Sequence, residues 1–189
     1  MTPGSPSRAE DNLPSTESEN PASKGLDSRT AREIVGIIHA EDLKAWESLD
    51  SELETIAEVV DVVAAAFDRG GRLIYLGAGT SGRLGVLDAS ECPPTFGVEP
   101  GLVEGFIAGG DRALRSAVEG AEDSSEDGSR TVSEAAVGER DVVCGISASG
   151  RAPFVQGGLE EARARGAATV LVAADAGLRE MSPGPGWDH

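Results

Sequence analysis

Arg72-Leu73-Ile74-Tyr75-Leu76-Gly77-Ala78-Gly79-Thr80-Ser81-Gly82-Arg83 decides the fold of this chain. An apolar β-like run passes directly into a loop of glycines and hydroxyls. The same sequence of events recurs where Asp141-Val142-Val143-Cys144-Gly145-Ile146 leads into Ser147-Ala148-Ser149-Gly150-Arg151. Glycine lets the backbone approach a ligand closely, and Ser and Thr hydroxyls donate to anionic oxygens. Where a helix starts after such a loop, its free N–H groups and dipole add to an anion site. One loop of this kind is a weak signal. Two in one chain point to a pocket for a phosphorylated small molecule.

Working outward, four apolar runs read as strands: residues 73–77, 102–108, 142–146 and 168–173. Helical patterns separate them. Residues 82–90 form a short one, stopped by Pro93-Pro94. Residues 113–119 begin another, continued past an acidic loop by residues 129–136. Residues 153–165 form a third, with Pro153 in its first turn and Gly166 beyond its end. This alternation predicts βαβ units and a parallel sheet, and both loops fall at the carboxyl ends of their strands, where such sheets bind ligands. Upstream, apolar residues from Ile34 to Phe67 recur at three- and four-residue steps. They predict a short and a long helix, capped by Ser28 or Thr30 and stopped by Arg69-Gly70-Gly71. Residues 1–28 are rich in Ser, Pro, Glu and Asn without apolar period and read as a mobile arm. Residues 175–189 break the alternation and leave a four-stranded sheet with an open edge.

A chain of 189 residues suffices for one full domain. With 39% hydrophobic and only 4% aromatic residues, its core draws on Val, Leu, Ile and Ala. The net charge of −17 argues against nucleic acid, which needs a basic face. Local amides and arginines can still hold a small anion. Cys92 and Cys144 form no CxxC pattern, so reduced thiols in a cytoplasmic protein are expected. The N-terminus lacks an apolar signal region, and no apolar run is long enough to span a membrane. His39 and His189 lie far apart and offer no metal cluster or catalytic pair. Acid–base chemistry therefore falls to carboxylates.

Longer stretches carry a resemblance. Residues 71–97, with Gly77-Ala78-Gly79-Thr80-Ser81-Gly82-Arg83-Leu84-Gly85 and Ser90-Glu91-Cys92-Pro93-Pro94, are similar to the N-acetylmuramic acid 6-phosphate etherases of the sugar-isomerase (SIS) superfamily. Ile107-Ala108-Gly109-Gly110, Gly120-Ala121-Glu122-Asp123 and Gly145–Pro153 match too, as does Thr16–Ser23 at the start. The resemblance implies a three-layer α/β fold: an SIS-type parallel sheet flanked by helices, incomplete at its C-terminal end, behind an N-terminal helical segment. It divides the chain into an arm (1–28), helices (29–70), a partial SIS domain (71–174) and an aberrant tail (175–189). It implies cleavage of the D-lactyl ether of a phosphorylated amino sugar by elimination and hydration, without metal or cofactor, in a homodimer with its active site near the subunit interface. Glu91 matches the family's proton donor and Glu122 its second catalytic glutamate. Family members continue well past this length, so reduced stability and turnover are expected of the chain as given.

The residues fit these roles. Elimination needs a base for the C2 proton and an acid at the departing ether oxygen, and two carboxyls in different environments can serve. Gly79, Thr80, Ser81, Gly82, Ser147, Ser149, Gly150 and Arg151 are expected to hold the phosphate. Arg83 is equally an anion contact or a first-turn surface charge. The bland alternatives are a solvated acidic face for Glu122, a helix-end carboxylate for Glu91, and ordinary capped turns for the two loops. Residues 77–82 also satisfy GxGxxG, but a dinucleotide site wants a long following helix and an acidic residue about twenty positions on at a strand end. Here the expected helix is short and Glu99 precedes the next strand. A sugar-phosphate isomerase and a non-catalytic sugar-phosphate sensor also stay open.

Overall fold

The computed structural model describes residues 15–175, 177, 178 and 188. Its contacts gather into two units, Met1–Glu58 and Val59–His189. In the first, short 3-10 turns at Ser15–Glu17, Pro21–Ser23 and Leu26–Ser28 occupy the stretch whose composition suggests an arm. Asn20 Nδ2 donates to Glu41 Oε2 at 2.8 Å. Helix α1 (Ala31–Glu47) starts at Thr30, whose hydroxyl caps the Glu33 N–H while the Glu33 carboxylate accepts from the Thr30 N–H. Helix α2 (Leu53–Asp68) follows a 3-10 turn at Ser48–Glu52. The two helices are nearly equal, at 17 and 16 residues, rather than one short and one long. The boundary between the two units falls inside α2.

The second unit is a parallel sheet of β1 (Leu73–Gly77), β2 (Val103–Ile107), β3 (Val142–Ile146) and β4 (Ala168–Val172), ordered β2-β1-β3-β4. Strand alternation sorts the core into two layers. Leu73, Tyr75, Val142, Cys144, Ile146 and Val170 pack with Val59, Val62, Val63 and Ala66 of α2. Ile74, Leu76 and Val143 pack on the other face with Val132, Phe154, Val155 and Leu159. Those last residues belong to α5 (Ser125–Glu134) and α6 (Pro153–Ala164). Helix α3 (Gly79–Phe96) lies on the Tyr75 face, so helices cover both sides of the sheet. The three-layer α/β class expected from the sequence is the one observed.

Two helices differ from expectation. Helix α3 runs 18 residues and contains Pro93 and Pro94 instead of stopping before them. The prolines sit in its last turn, where a missing donor matters least. Gly97 ends it, with a left-handed φ of 68° and its N–H on the Pro93 carbonyl. The length objection to a dinucleotide site therefore falls. The other stands, because Glu99 precedes β2 and so lies at the opposite edge of the sheet from the loops. Helix α4 (Asp111–Arg115) is five residues long and does not reach Glu119. The chain turns back there: Gly109 packs against Val118 and Ala121.

Candidate functional site

β1 and β3 are neighbours, with Gly77 opposite Ile146 at their carboxyl ends. The connection from β1 through α3 leads outward to β2; the connection from β2 crosses back over β1 to β3. The strand order thus reverses between β1 and β3, the position where open parallel sheets bind ligands. Both glycine-hydroxyl loops emerge there, side by side.

The first loop is shaped by contact. A methyl group on Gly82 would lie 2.6 Å from Ile107 Cγ1 and 2.7 Å from the Gly77 carbonyl oxygen, so only glycine lets α3 start this close to the strand end. The N-cap of α3 is Ala78, which offers no side-chain cap. The first intrahelical bond belongs to the Gly82 N–H, on the Ala78 carbonyl at 3.2 Å. The amides of Gly79, Thr80 and Ser81 precede it and have no partner within the helix. Side chains cap α1 and α5, through Thr30 and through the Ser124 hydroxyl that accepts from the Asp127 N–H, whereas α4 and α6, like α3, start without one. At the α3 start no side chain of the N-cap residue takes up these amides.

The second loop is held from below. Ser147 is buried, and its N–H donates to the Val172 carbonyl at 3.0 Å. Gly150 has φ 67°, and a side chain there would collide with Leu178. The Gln156 side-chain amide, one turn into α6, donates to the Gly150 carbonyl. The Ser149 hydroxyl accepts from the Arg151 N–H at 3.3 Å, and the Arg151 guanidinium stands 3.6 Å from Asp175. Sequence reasoning missed Gln156. Its signal was a lone amide between buried Phe154 and Val155 and the glycines at 157 and 158, six residues past the loop glycine.

The carboxylates divide. Glu122 lies on the turn Ala121–Asp123, whose Ala121 packs against Gly109 just past the end of β2. That places it at the same sheet edge as both loops. Glu91 lies twelve residues after Gly79 in α3, about 18 Å along the axis, and is exposed. Within one copy the structure does not bring Glu91 to the loops. It shares an exposed stripe with Leu84 and Leu87. Arg83 is committed elsewhere: its Nη2 donates to the Ala113 carbonyl at 2.7 Å and its Nε to the Leu114 carbonyl at 3.2 Å. Burial pushes the Cys144 thiol up to about 12, and burial together with Asp88 raises Cys92, which suits packed thiols rather than nucleophiles. Among the described residues no group of three or more His, Cys, Asp or Glu gathers as a metal site, and no helix is long and apolar enough to cross a membrane. A hollow of about 550 Å³ follows the outer side of β2, and none of the loop residues lines it.

Residues 55–163 match the family model described as the glucokinase regulatory protein N-terminal SIS domain. The chain belongs to the SIS-domain family. This SIS domain is also 52% identical over 160 residues to an N-acetylmuramic acid 6-phosphate etherase of Glaesserella parasuis, covering 85% of the chain and 53% of that protein. It is 51% identical over 162 residues to the enzyme of that name from Jannaschia sp., covering 86% and 51%. It is 52% identical over 158 residues to N-acetylmuramic acid 6-phosphate etherase 2 of Enterococcus faecalis, covering 84% and 53%. The chain spans about half the length of these curated relatives. Among solved structures, a phosphoheptose isomerase from Francisella tularensis superposes with a TM-score of 0.60 at 19% identity, covering 81% of this chain and 80% of that one. One from Neisseria gonorrhoeae gives 0.58 at 18%, covering 76% and 75%. These two share the fold.

Proposed function

We propose that this SIS domain binds the phosphate of a phosphorylated amino sugar and takes part in N-acetylmuramic acid 6-phosphate etherase chemistry, a carbon–oxygen lyase reaction of cytoplasmic cell-wall recycling. The observation that carries this is the uncapped α3 start beside the Ser147–Gly150 loop at the point where strand order reverses. The roughly half-identical relatives bearing the etherase name supply the sugar. The amides of Gly79, Thr80 and Ser81, with the Ser81, Ser147 and Ser149 hydroxyls, hold the phosphate. Gly82 and Gly150 permit the close approach, and Arg151 adds charge at the rim. The C2 proton, acidified by the aldehyde of the opened sugar, leaves to a carboxylate. A carboxylic acid protonates the departing lactyl oxygen, giving D-lactate, and water adds to the alkene to give N-acetylglucosamine 6-phosphate.

Glu122 lies at the edge where this chemistry occurs. Glu91, the proposed proton donor, stands too far down α3 to reach a hexose phosphate held by its own loops, so it acts on a sugar bound by a second copy. The exposed Leu84, Leu87 and Phe96 along α3 supply apolar surface for that homodimer. A second reading, a sugar-phosphate sensor without turnover, draws on the match to the glucokinase regulatory model.

Incubation with N-acetylmuramic acid 6-phosphate and assay for D-lactate separates the readings. Lactate release that falls about 100-fold or more in Glu122→Gln and in Glu91→Gln supports the etherase. Saturable sugar-phosphate binding without lactate favours the sensor. Neither binding nor lactate would overturn both.

A further inference from the structure

We propose that Arg83 is a positioning residue that locks the Glu122 turn to the first phosphate loop, and not a ligand of the phosphate itself. This rests on the site described above and deepens it. Arg83 belongs to the second turn of α3, directly behind the open amides. Its sequence position after Ser81-Gly82 suits an anion contact, yet its guanidinium is turned toward α4. Helix α4 has only five residues, so its last carbonyls have no partner within the helix. Arg83 takes two of them, Ala113 and Leu114, with two arms of one planar fork. A cation at that end also suits the helix dipole. No carboxylate among the described residues pairs with it.

The chain then leaves α4 through Ser116, whose N–H donates to the Arg112 carbonyl at 3.1 Å, and folds back so that Val118 and Ala121 pack on Gly109. Glu122 follows immediately. The path from α4 to Glu122 is short, and its other holds are these small apolar contacts and the packing of the Ala121 turn against α6. The Arg83 fork is the polar tie between this path and the helix whose amides form half of the anion site. It fixes the distance between the phosphate and a proton-transferring carboxylate.

Two variants test this. Arg83→Lys keeps the charge but loses the fork, and Arg83→Gln loses both. Amide hydrogen exchange across residues 113–123 is expected to quicken about ten-fold in each, the equivalent of one lost charge-assisted hydrogen bond. The Kd for inorganic phosphate is expected to stay within two-fold of the parent. In turnover, kcat falls about ten-fold while KM holds. Unchanged exchange over residues 113–123 in Arg83→Lys overturns the proposal. So does a ten-fold weaker phosphate affinity in Arg83→Gln, which would make Arg83 a ligand. If the parent chain binds no phosphate and releases no lactate, the anion-site reading fails, and the exchange result still decides the role of Arg83. If Arg83→Gln does not fold, Arg83→Lys decides alone.

Discussion

Asp141 shows what a single residue contributes to this molecule. It is 7% exposed, and its carboxylate accepts from the Arg72 N–H at 2.9 Å, Arg72 Nε at 3.3 Å, Arg72 Nη2 at 2.9 Å and the Gly138 N–H at 3.0 Å. Arg72 reaches on to Glu104 at 2.9 Å. Burial alone would raise this carboxyl. The Arg72 hydrogen bond and the backbone N–H groups of Gly138 and Arg72 outweigh it and hold the group below the ordinary carboxylate range. A depressed folded-state value gives stability that is full above the unfolded pKa of about 3.9 and is lost as pH falls through the folded value. Asp141→Asn is therefore expected to lose about 2–3 kcal/mol at pH 7 and to show a shallower further loss toward pH 3. Urea melts across that range check it; matching midpoints at pH 7 would contradict the assignment. Nothing in the sequence marks this residue. Its partner lies 69 positions away, and only the pairing of β1 with β3 joins them.

At the scale of elements, the strands were legible and the helix ends were not. β1 and β3 follow the expected limits because each is a buried apolar run closed by a loop whose chemistry is local. The loops were legible for the same reason. The end of α3 was not, because the rule that proline breaks helices weighs less in a last turn, where Gly97 closes the helix instead. The sheet edge shared by Glu122 and the loops depends on the fold-back onto Gly109, a non-local contact, so only the family resemblance pointed to that glutamate. Close packing of α3 on the sheet carries its own prediction. A methyl on Gly105 of β2 would sit 2.7 Å from Val86 Cα and 2.9 Å from the Gly85 carbonyl oxygen, and neither backbone atom can swing aside. Gly105→Ala is expected to cost about 3 kcal/mol. Thermal melts of that variant beside Gly138→Ala, where nothing lies within 4 Å, test the packing: equal losses would remove the close-approach account.

For the molecule as a whole, the sheet's two ends do different work, and its outer edge has its own guard. Arg72, Asp141 and Glu104 fasten β1, β3 and β2 at the amino end, leaving the carboxyl end to the loops. Among the described residues, β4 pairs with β3 on one side only. Ala168 N–H donates to Asp141 and Val172 carbonyl accepts from Ser147, so these residues face β3 and Thr169 faces outward. Asp188 meets it there. Its carboxylate accepts from the Thr169 N–H at 3.1 Å and hydroxyl at 2.9 Å, its own N–H donates to the Thr169 carbonyl at 3.0 Å, and Arg163 stands 3.6 Å from its other oxygen. One residue thus occupies both outward backbone groups of Thr169, the second residue of β4, on the side away from β3 where a further strand could pair. Asp188→Ala is expected to cost about 1–2 kcal/mol, to quicken exchange of the Thr169 amide, and to make association rise with concentration in sedimentation velocity. Asp188→Asn keeps an acceptor for Thr169 but loses the charge facing Arg163, so it should fall between. Unaltered melting and sedimentation in Asp188→Ala would mean that the edge is protected by something other than this contact.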